Sequence, residues 1–135
     1  MLASRMKHIP TACPCGADAT YDRCCGRWHA GPAHLQAPTA QALMRSRYSA
    51  WVLGLADYLR DTWHASTRPA APPVFDPSER WLGLEVRRCV VNDTDHATVE
   101  FVARCKVGGR ATRLHETSRF LRENGRWFYV DGEMH

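Results

Sequence analysis

Four thiols fall between positions 13 and 25, as Cys13-Pro14-Cys15-Gly16 and Cys24-Cys25-Gly26. No hydrophobic run nearby could bury them as ordinary core residues. A thiolate is a soft, anionic ligand, and zinc in structural sites prefers a tetrahedron of such ligands. In the first pair, Pro14 fixes one φ angle between the ligands and Gly16 lets the chain turn sharply after them. The second pair is adjacent in sequence. On a helical turn neighbouring side chains diverge by about 100°, so both sulfurs reach one ion only near a helix end, where the backbone can bend. Tyr21 is expected to pack on the knuckle so formed. Lys7, His8, Arg23 and Arg27 lie close enough in sequence to offset the negative charge of a four-thiolate zinc site. His29 follows Cys25 by four positions, so a helical turn puts the two on one face. It is the alternative fourth ligand if Cys25 does not serve, or else a donor to a thiolate.

Four protein ligands leave no open position for water, so the expected Zn2+ is structural rather than catalytic. The competing reading is disulfides, which need an oxidising compartment. Residues 1–10 carry basic side chains but no apolar h-region, so they do not read as a secretory signal. A Cys24–Cys25 bridge would also be strained.

A second set of chemically active residues is scattered in sequence and gathered only by strand register. From Trp81 onward the hydrophobic period is two, predicting strands over 81–92, 96–107, 110–122 and 126–131. Gly108-Gly109 and Asn124-Gly125 are two-residue hairpin turns suited to positive φ. They place Phe101 opposite Glu116, Val99 opposite Ser118, Phe120 opposite Tyr129 and Ser118 opposite Asp131. The Asp93-Thr94 turn pairs Val86 with Phe101. One face then collects Leu82, Leu84, Val86, Val90, Val99, Phe101, Phe120 and Tyr129 as core. The other shows Glu85, Arg87, Glu100, Arg104, Lys106, His115 and Arg119, with Arg87 opposite Glu100 and Cys89 as an exposed thiol.

The same register puts Arg88, Glu116, Ser118 and Asp131 on the core face. A buried carboxylate without a partner is costly or takes up a proton. Arg47 and His64 are the nearest candidate partners from the helices. A partly polar pocket is therefore expected, lined by Arg47, Tyr48, Trp63, His64, Phe101, Glu116, Ser118, Tyr129 and Asp131. In the functional reading it holds a small ligand or substrate, with Glu116 as acid or base and Arg47 or His64 binding an anion. In the structural reading a Glu116–Arg47 pair merely fixes a helix on the sheet.

The elements that carry these residues begin after a linker over 31–38, where Gly31, Pro32 and Pro38 stop any helix from running through. Thr39 can cap a helix. Ala40, Met44, Tyr48, Trp51 and Leu55 line one stripe of it, Arg47 falls at the stripe's edge, and Ser46, Ser49 and Leu53 point away. Gly54 breaks the helix. A second one, over 56–63, turns back with Tyr58, Leu59 and Trp63 as its apolar side. Residues 66–80 hold several prolines and read as a long loop across the mouth of the domain.

Cys-Pro-Cys-Gly, a Tyr, then Cys-Cys-Gly resembles the SEC-C zinc motif found at the C-terminus of the preprotein translocase ATPase. The rest of the chain resembles the YchJ-like family. The matching residues are 39–50 (Thr-Ala-Gln-Ala-Leu-Met-Arg-Ser-Arg-Tyr-Ser-Ala), Asp57-Tyr58-Leu59, Thr62-Trp63-His64, Ser66-Thr67-Arg68, Glu116-x-Ser118-x-Phe120 and Gly125-Arg126-Trp127-x-Tyr129-x-Asp131-Gly132. The resemblance implies an α+β protein. A SEC-C zinc knuckle over 1–30 and the linker over 31–38 precede a nuclear-transport-factor-2-like cone over 39–135, with helices packed on a curved antiparallel sheet. Related cones hold isomerases and dehydratases with carboxylates in the cavity, but fold does not fix function. The family is functionally uncharacterised, so the resemblance implies no activity. The motif's usual Gly-Ser-Gly and basic residues are replaced here by Gly16-Ala17-Asp18-Ala19-Thr20, which keeps the ligands and weakens the basic surface.

The chain has 135 residues, a formal net charge of +4 and a pI near 8.9. That length suits one compact domain plus a small appendage. No apolar stretch is long enough to span a membrane, and cysteine usage fits a reducing cytoplasm. The outer-face charges alternate in sign and carry no aromatic platform, which argues against nucleic acid or the ribosome as a partner. The expected role is a cytoplasmic zinc-binding adaptor or binding module. Its knuckle would dock a protein partner, its pocket a small ligand, and its outer sheet face a second copy of the chain. The alternatives are a lyase, isomerase or hydrolase acting through Glu116 and, third, a nucleic-acid or ribosome-associated protein.

Overall fold

The computed structural model describes residues 11–135. Lys7 and His8, expected to offset the thiolate charge, lie outside the described residues. After a 3-10 turn (Tyr21–Arg23) come three helices, α1 (Gly26–His29), α2 (Ala40–Leu53) and α3 (Ala56–Asp61). Four strands follow: β1 (Glu79–Val91), β2 (His96–Val107), β3 (Arg110–Glu123) and β4 (Arg126–Met134). The strands pair in sequence order as one antiparallel sheet. The fold is the expected α+β arrangement, a curved sheet with helices on its apolar face.

The central register is as expected: Phe101 faces Glu116, Val99 faces Ser118, and Val86 faces Phe101. The glycine turns do this work. Gly108, Gly109, Asn124 and Gly125 all have positive φ, the condition for a tight hairpin whose twist matches its strands. Toward the edges three irregularities shift the register. One falls between Arg119 and Phe120, so Phe120 still faces Tyr129 but Asp131 faces Arg119 rather than Ser118. A one-residue slip moves a side chain to the other face. Asp131 therefore leaves the core face and pairs with Arg119 at 2.6 Å on the outside.

The other two irregularities lie in β1, between Trp81 and Gly83 and between Val86 and Arg88. They put Trp81 opposite Cys105 and leave Leu82 55% exposed. Arg88 rather than Arg87 then faces Glu100, on the solvent side, and Cys89 and Val90 exchange faces relative to the expected alternation. Bulges bend and twist an edge strand, and hydrophobic alternation alone does not reveal them.

Helix α2 starts as expected, with the Thr39 hydroxyl accepting from the Ala42 amide at 3.0 Å, and stops at Gly54 in the left-handed conformation. Ser46 and Ser49, expected to point away, are fully buried. The helix is covered on more than the sheet side. Ser46 Oγ donates to the Leu43 carbonyl and meets Tyr58 Oη of α3 at 2.7 Å, and Ser49 Oγ meets Cys13 Sγ at 3.6 Å. Of the three residues expected to point away only Leu53 is exposed, so with three packing partners a single apolar stripe underestimates the burial.

Helix α3 ends at Asp61 rather than 63 because the next residues join the sheet. Trp63 forms a parallel bridge with Tyr129, with the Tyr129 amide donating to the Thr62 carbonyl and the His64 amide to the Tyr129 carbonyl, each at 2.8 Å. Cys13, Cys15 and Cys25 share one apolar cluster with Leu43, Met44, Phe101 and Phe120. The cysteine segment is thus packed into the same core as the helix and sheet.

Candidate metal centre and cavity

The cysteine segment is a small hairpin followed by a helical turn. Ala12 bridges Thr20, the Cys13 amide donates to the Ala19 carbonyl at 2.9 Å, and the Tyr21 amide to the Thr11 carbonyl at 2.8 Å. Its tip carries Cys15 and Gly16, the latter at φ 79°. Cys24 and Cys25 sit where the 3-10 turn ends and α1 begins, the bend that adjacent ligands require. Gly26 makes that junction possible: a Cβ there would lie 2.7 Å from the Tyr21 carbonyl oxygen and 2.9 Å from its ring.

All four sulfurs lie within 4.8 Å of one another, with Cys15 and Cys24 Sγ 3.6 Å apart. Four sulfurs at zinc–thiolate distance around one ion have edges of about 3.8 Å. None of the four is in a disulfide. The donor set is soft, compact and nearly dry, and it fits a tetrahedral thiolate-binding ion. Without an ion the four cannot all ionise. Hydrogen bonding from Cys25 holds Cys15 down to about 4, that same bond pushes Cys25 up, and burial pushes Cys24 up to about 11. A divalent cation would relieve this conflict.

His29 is not a ligand here. Its Nδ1 meets Tyr21 Oη of the 3-10 turn at 2.6 Å and its Nε2 meets the Ser46 carbonyl of α2 at 2.8 Å, so both ring nitrogens are engaged and the second docks α1 on α2. With Nε2–H donating to that carbonyl, Nδ1 accepts from the tyrosine. Burial holds its pKa below the usual imidazole value, consistent with a neutral ring. Arg45 Nη1 donates to the Cys15 carbonyl and Arg27 Nε to the Cys24 carbonyl, both at 3.0 Å.

A cavity of about 420 Å³ lies between α2 and the sheet. Its walls are mainly apolar and aromatic, including Met44, Trp63, Trp81, Phe101 and Phe120, and Val74, Asp76 and Glu79 stand on the loop side. Two charged groups face it from inside. The Glu116 carboxylate accepts from Ser118 Oγ at 2.5 Å and from Tyr129 Oη at 3.5 Å. Arg47 is buried, with its guanidinium 4.5 Å from the Tyr129 ring centre and 5.3 Å from that of Trp63. Its Nη1 donates to the Leu59 carbonyl and to Thr62 Oγ1, at 2.8 and 2.7 Å. Burial lowers its pKa to about 10, so it remains a cation at neutral pH.

The sequence profile of the YchJ middle NTF2-like domain matches residues 39–132. The chain belongs to the YchJ-like family. Among its relatives, a UPF0225 protein of Methylibium petroleiphilum is 62% identical over 128 residues, covering 95% of this chain and 92% of that protein. One of Bordetella parapertussis is 57% identical over 125 residues, covering 93% and 94%. The solution structure of a SEC-C motif containing protein from Rhodopseudomonas palustris has a TM-score of 0.77 at 35% identity, covering 90% of this chain and 96% of that one. The crystal structure of a SEC-C motif containing protein from Psychrobacter arcticus has a TM-score of 0.72 at 29% identity, covering 88% and 80%.

In this YchJ-like chain the cavity brings together Arg47, Tyr48, Trp63, Phe101, Glu116, Ser118 and Tyr129. His64 and Asp131 are not among its lining residues. His64 follows Trp63 across the Tyr129 bridge, so its side chain takes the opposite side. There it meets Ser66 Oγ at 2.7 Å, Glu123 Oε2 at 3.3 Å and the Phe128 ring. A direct Glu116–Arg47 ion pair is also absent among the described residues. Arg47 Nη1 donates to the end of α3, and Glu116 accepts from hydroxyls.

The sequence reading missed Ser49, which touches Cys13, and Gly132, which lies beside Glu116. An isolated glycine inside a strand is a signal for close backbone approach, and Gly132 was legible on that ground. A Cβ at position 132 would collide with Glu116 Oε2. Gly132→Ala is therefore expected to displace the carboxylate and cost about 1–3 kcal/mol. Urea unfolding checks this, and the cost should shrink in the Glu116→Ala background because the two effects share one contact.

Proposed function

We propose that this chain is a zinc-braced binding module. A structural zinc ion on Cys13, Cys15, Cys24 and Cys25 holds α2 against the sheet. The cavity beneath that helix takes a small, largely apolar ligand that offers a hydrogen-bond donor to Glu116. The observation that carries the reading is a cavity of about 420 Å³ with aromatic walls and the Glu116 carboxylate among its lining groups on the sheet. Ligand sites of this kind pair an apolar lining with a few convergent polar groups. The charge balance selects the ligand class. Arg47 Nη1 is held by the end of α3, and the one guanidinium on the lining is outnumbered by the carboxylates of Glu116, Asp76 and Glu79. Neutral alcohols and amines suit such a site better than anions. The reduced cysteines are consistent with a cytoplasmic protein.

A thermal-shift comparison of small aromatic amines, alcohols and carboxylates tests the reading. Amines and alcohols are expected to raise the melting temperature, and carboxylates to leave it unchanged. Glu116→Gln should weaken amine binding about tenfold or more, the scale of one charge-assisted hydrogen bond. Leu114→Trp, which narrows the cavity from its half-buried wall, should abolish binding. Stabilisation by carboxylates alone, or binding indifferent to both substitutions, overturns it.

A further inference from the structure

We propose that Glu100, His115 and His135 form a second metal site, on the solvent face of the sheet, for a divalent transition-metal ion of the zinc or cobalt type. The three residues come from adjacent chain segments and meet through register. The His135 amide donates to the His115 carbonyl at 2.9 Å, extending the β3–β4 ladder by one residue, so the two imidazoles are direct cross-strand neighbours. Their ring centres are 4.4 Å apart. Glu100 faces Thr117 on β3, two residues from His115 and on the same face. Cross-strand and diagonal neighbours on one sheet face are within side-chain reach.

One ligand atom from each residue falls within 4.8 Å of the others. Glu100 Oε2 and His115 Nε2 are 2.8 Å apart, with side chains only 29% and 21% exposed. An ion entering there displaces the proton that now joins these two groups. The Thr117 hydroxyl meets His135 Nε2 at 2.7 Å and steadies that ring, the kind of outer partner that orients a histidine ligand. Arg87 acts on Glu100 electrostatically and opposes a cation, while Glu133, opposite Thr117, supplies compensating negative charge. Two imidazoles and one carboxylate suit first-row divalent ions, and three protein ligands leave positions open for water or an anion. This site differs from the cysteine cluster in ligand chemistry and in location. None of its ligands belongs to that cluster, and its test takes the zinc reading of the thiols proposed above as given.

The test uses the full-length chain without a histidine tag, with one equivalent of zinc loaded, titrated with Co2+. A second equivalent should bind with visible cobalt absorption that lacks thiolate-to-cobalt charge transfer. His115→Ala and His135→Ala should each weaken that binding at least tenfold, and Glu100→Gln should weaken it several-fold, all keeping the first zinc. His135 follows the last strand and is exposed, so its variant keeps the fold, which circular dichroism verifies. No second equivalent at millimolar cobalt, or one unchanged in His135→Ala, overturns the proposal.

Discussion

Cys15→Ser is expected to lower the melting temperature by roughly 10 °C or more, and stripping the metal with a chelator should do the same. Structural zinc in small motifs contributes an apparent binding energy of about 10–16 kcal/mol, as large as the total stability of an ordinary domain, about 5–15 kcal/mol. Were the knuckle a free appendage, that loss would stay local. Here Cys15 is fully buried and belongs to the same apolar cluster as Phe101 and Phe120. Cys13 touches Ser49, and His29 is hydrogen-bonded to Ser46, both on α2. Releasing the thiols exposes the back of α2, so one cooperative transition should move rather than a separate one disappear. Cys89→Ser is the control. That thiol is exposed and outside the cluster, and its loss should shift the transition by about 1 °C or less, within the usual surface range. Zinc content measured alongside the melts decides between metal loss and simple loss of packing.

Arg47→Ala should cost about 3–5 kcal/mol in urea unfolding. The guanidinium is the link between the two longer helices and the sheet. It donates to the end of α3 through the Leu59 carbonyl and Thr62 Oγ1 and lies over the Tyr129 ring of β4. Truncation leaves a buried carbonyl without that donor and opens a void beside an existing cavity. Arg47→Lys should recover only part of the loss, because an ammonium cannot donate in two directions while stacking flat on a ring. If the lysine variant is as stable as the parent, the stacked fork geometry does not hold α3 in place.

The parts of this molecule that were legible in the sequence are those fixed by local rules. The Gly108-Gly109 and Asn124-Gly125 turns set the central register, which brought Glu116 to the inner face. Cysteine spacing drew four sulfurs together. What escaped was non-local or irregular. The slip between Arg119 and Phe120 moved Asp131 outside, and no residue type there announces it. The bridge between Trp63 and Tyr129 turned His64 away from the cavity, an effect of two segments far apart in sequence. Ser46 and Ser49 looked like solvent positions because a single-stripe reading does not count a second packing partner. The knuckle is that partner, and nothing in its own residues says where it lands.

The two irregularities in β1 bear on how the molecule behaves at high concentration. Among the described residues no strand pairs with the outer side of β1, which leaves that border as a row of backbone donors and acceptors that another chain could zip onto. Its extra residues at Leu82 and Arg87 kink that border and break the even spacing a foreign strand would need. The opposite border, β4, is already partly occupied by Trp63. Leu82 and Val91 are displayed to water, but the kinked β1 border and the bridged β4 border each make a poor straight template for fibre growth.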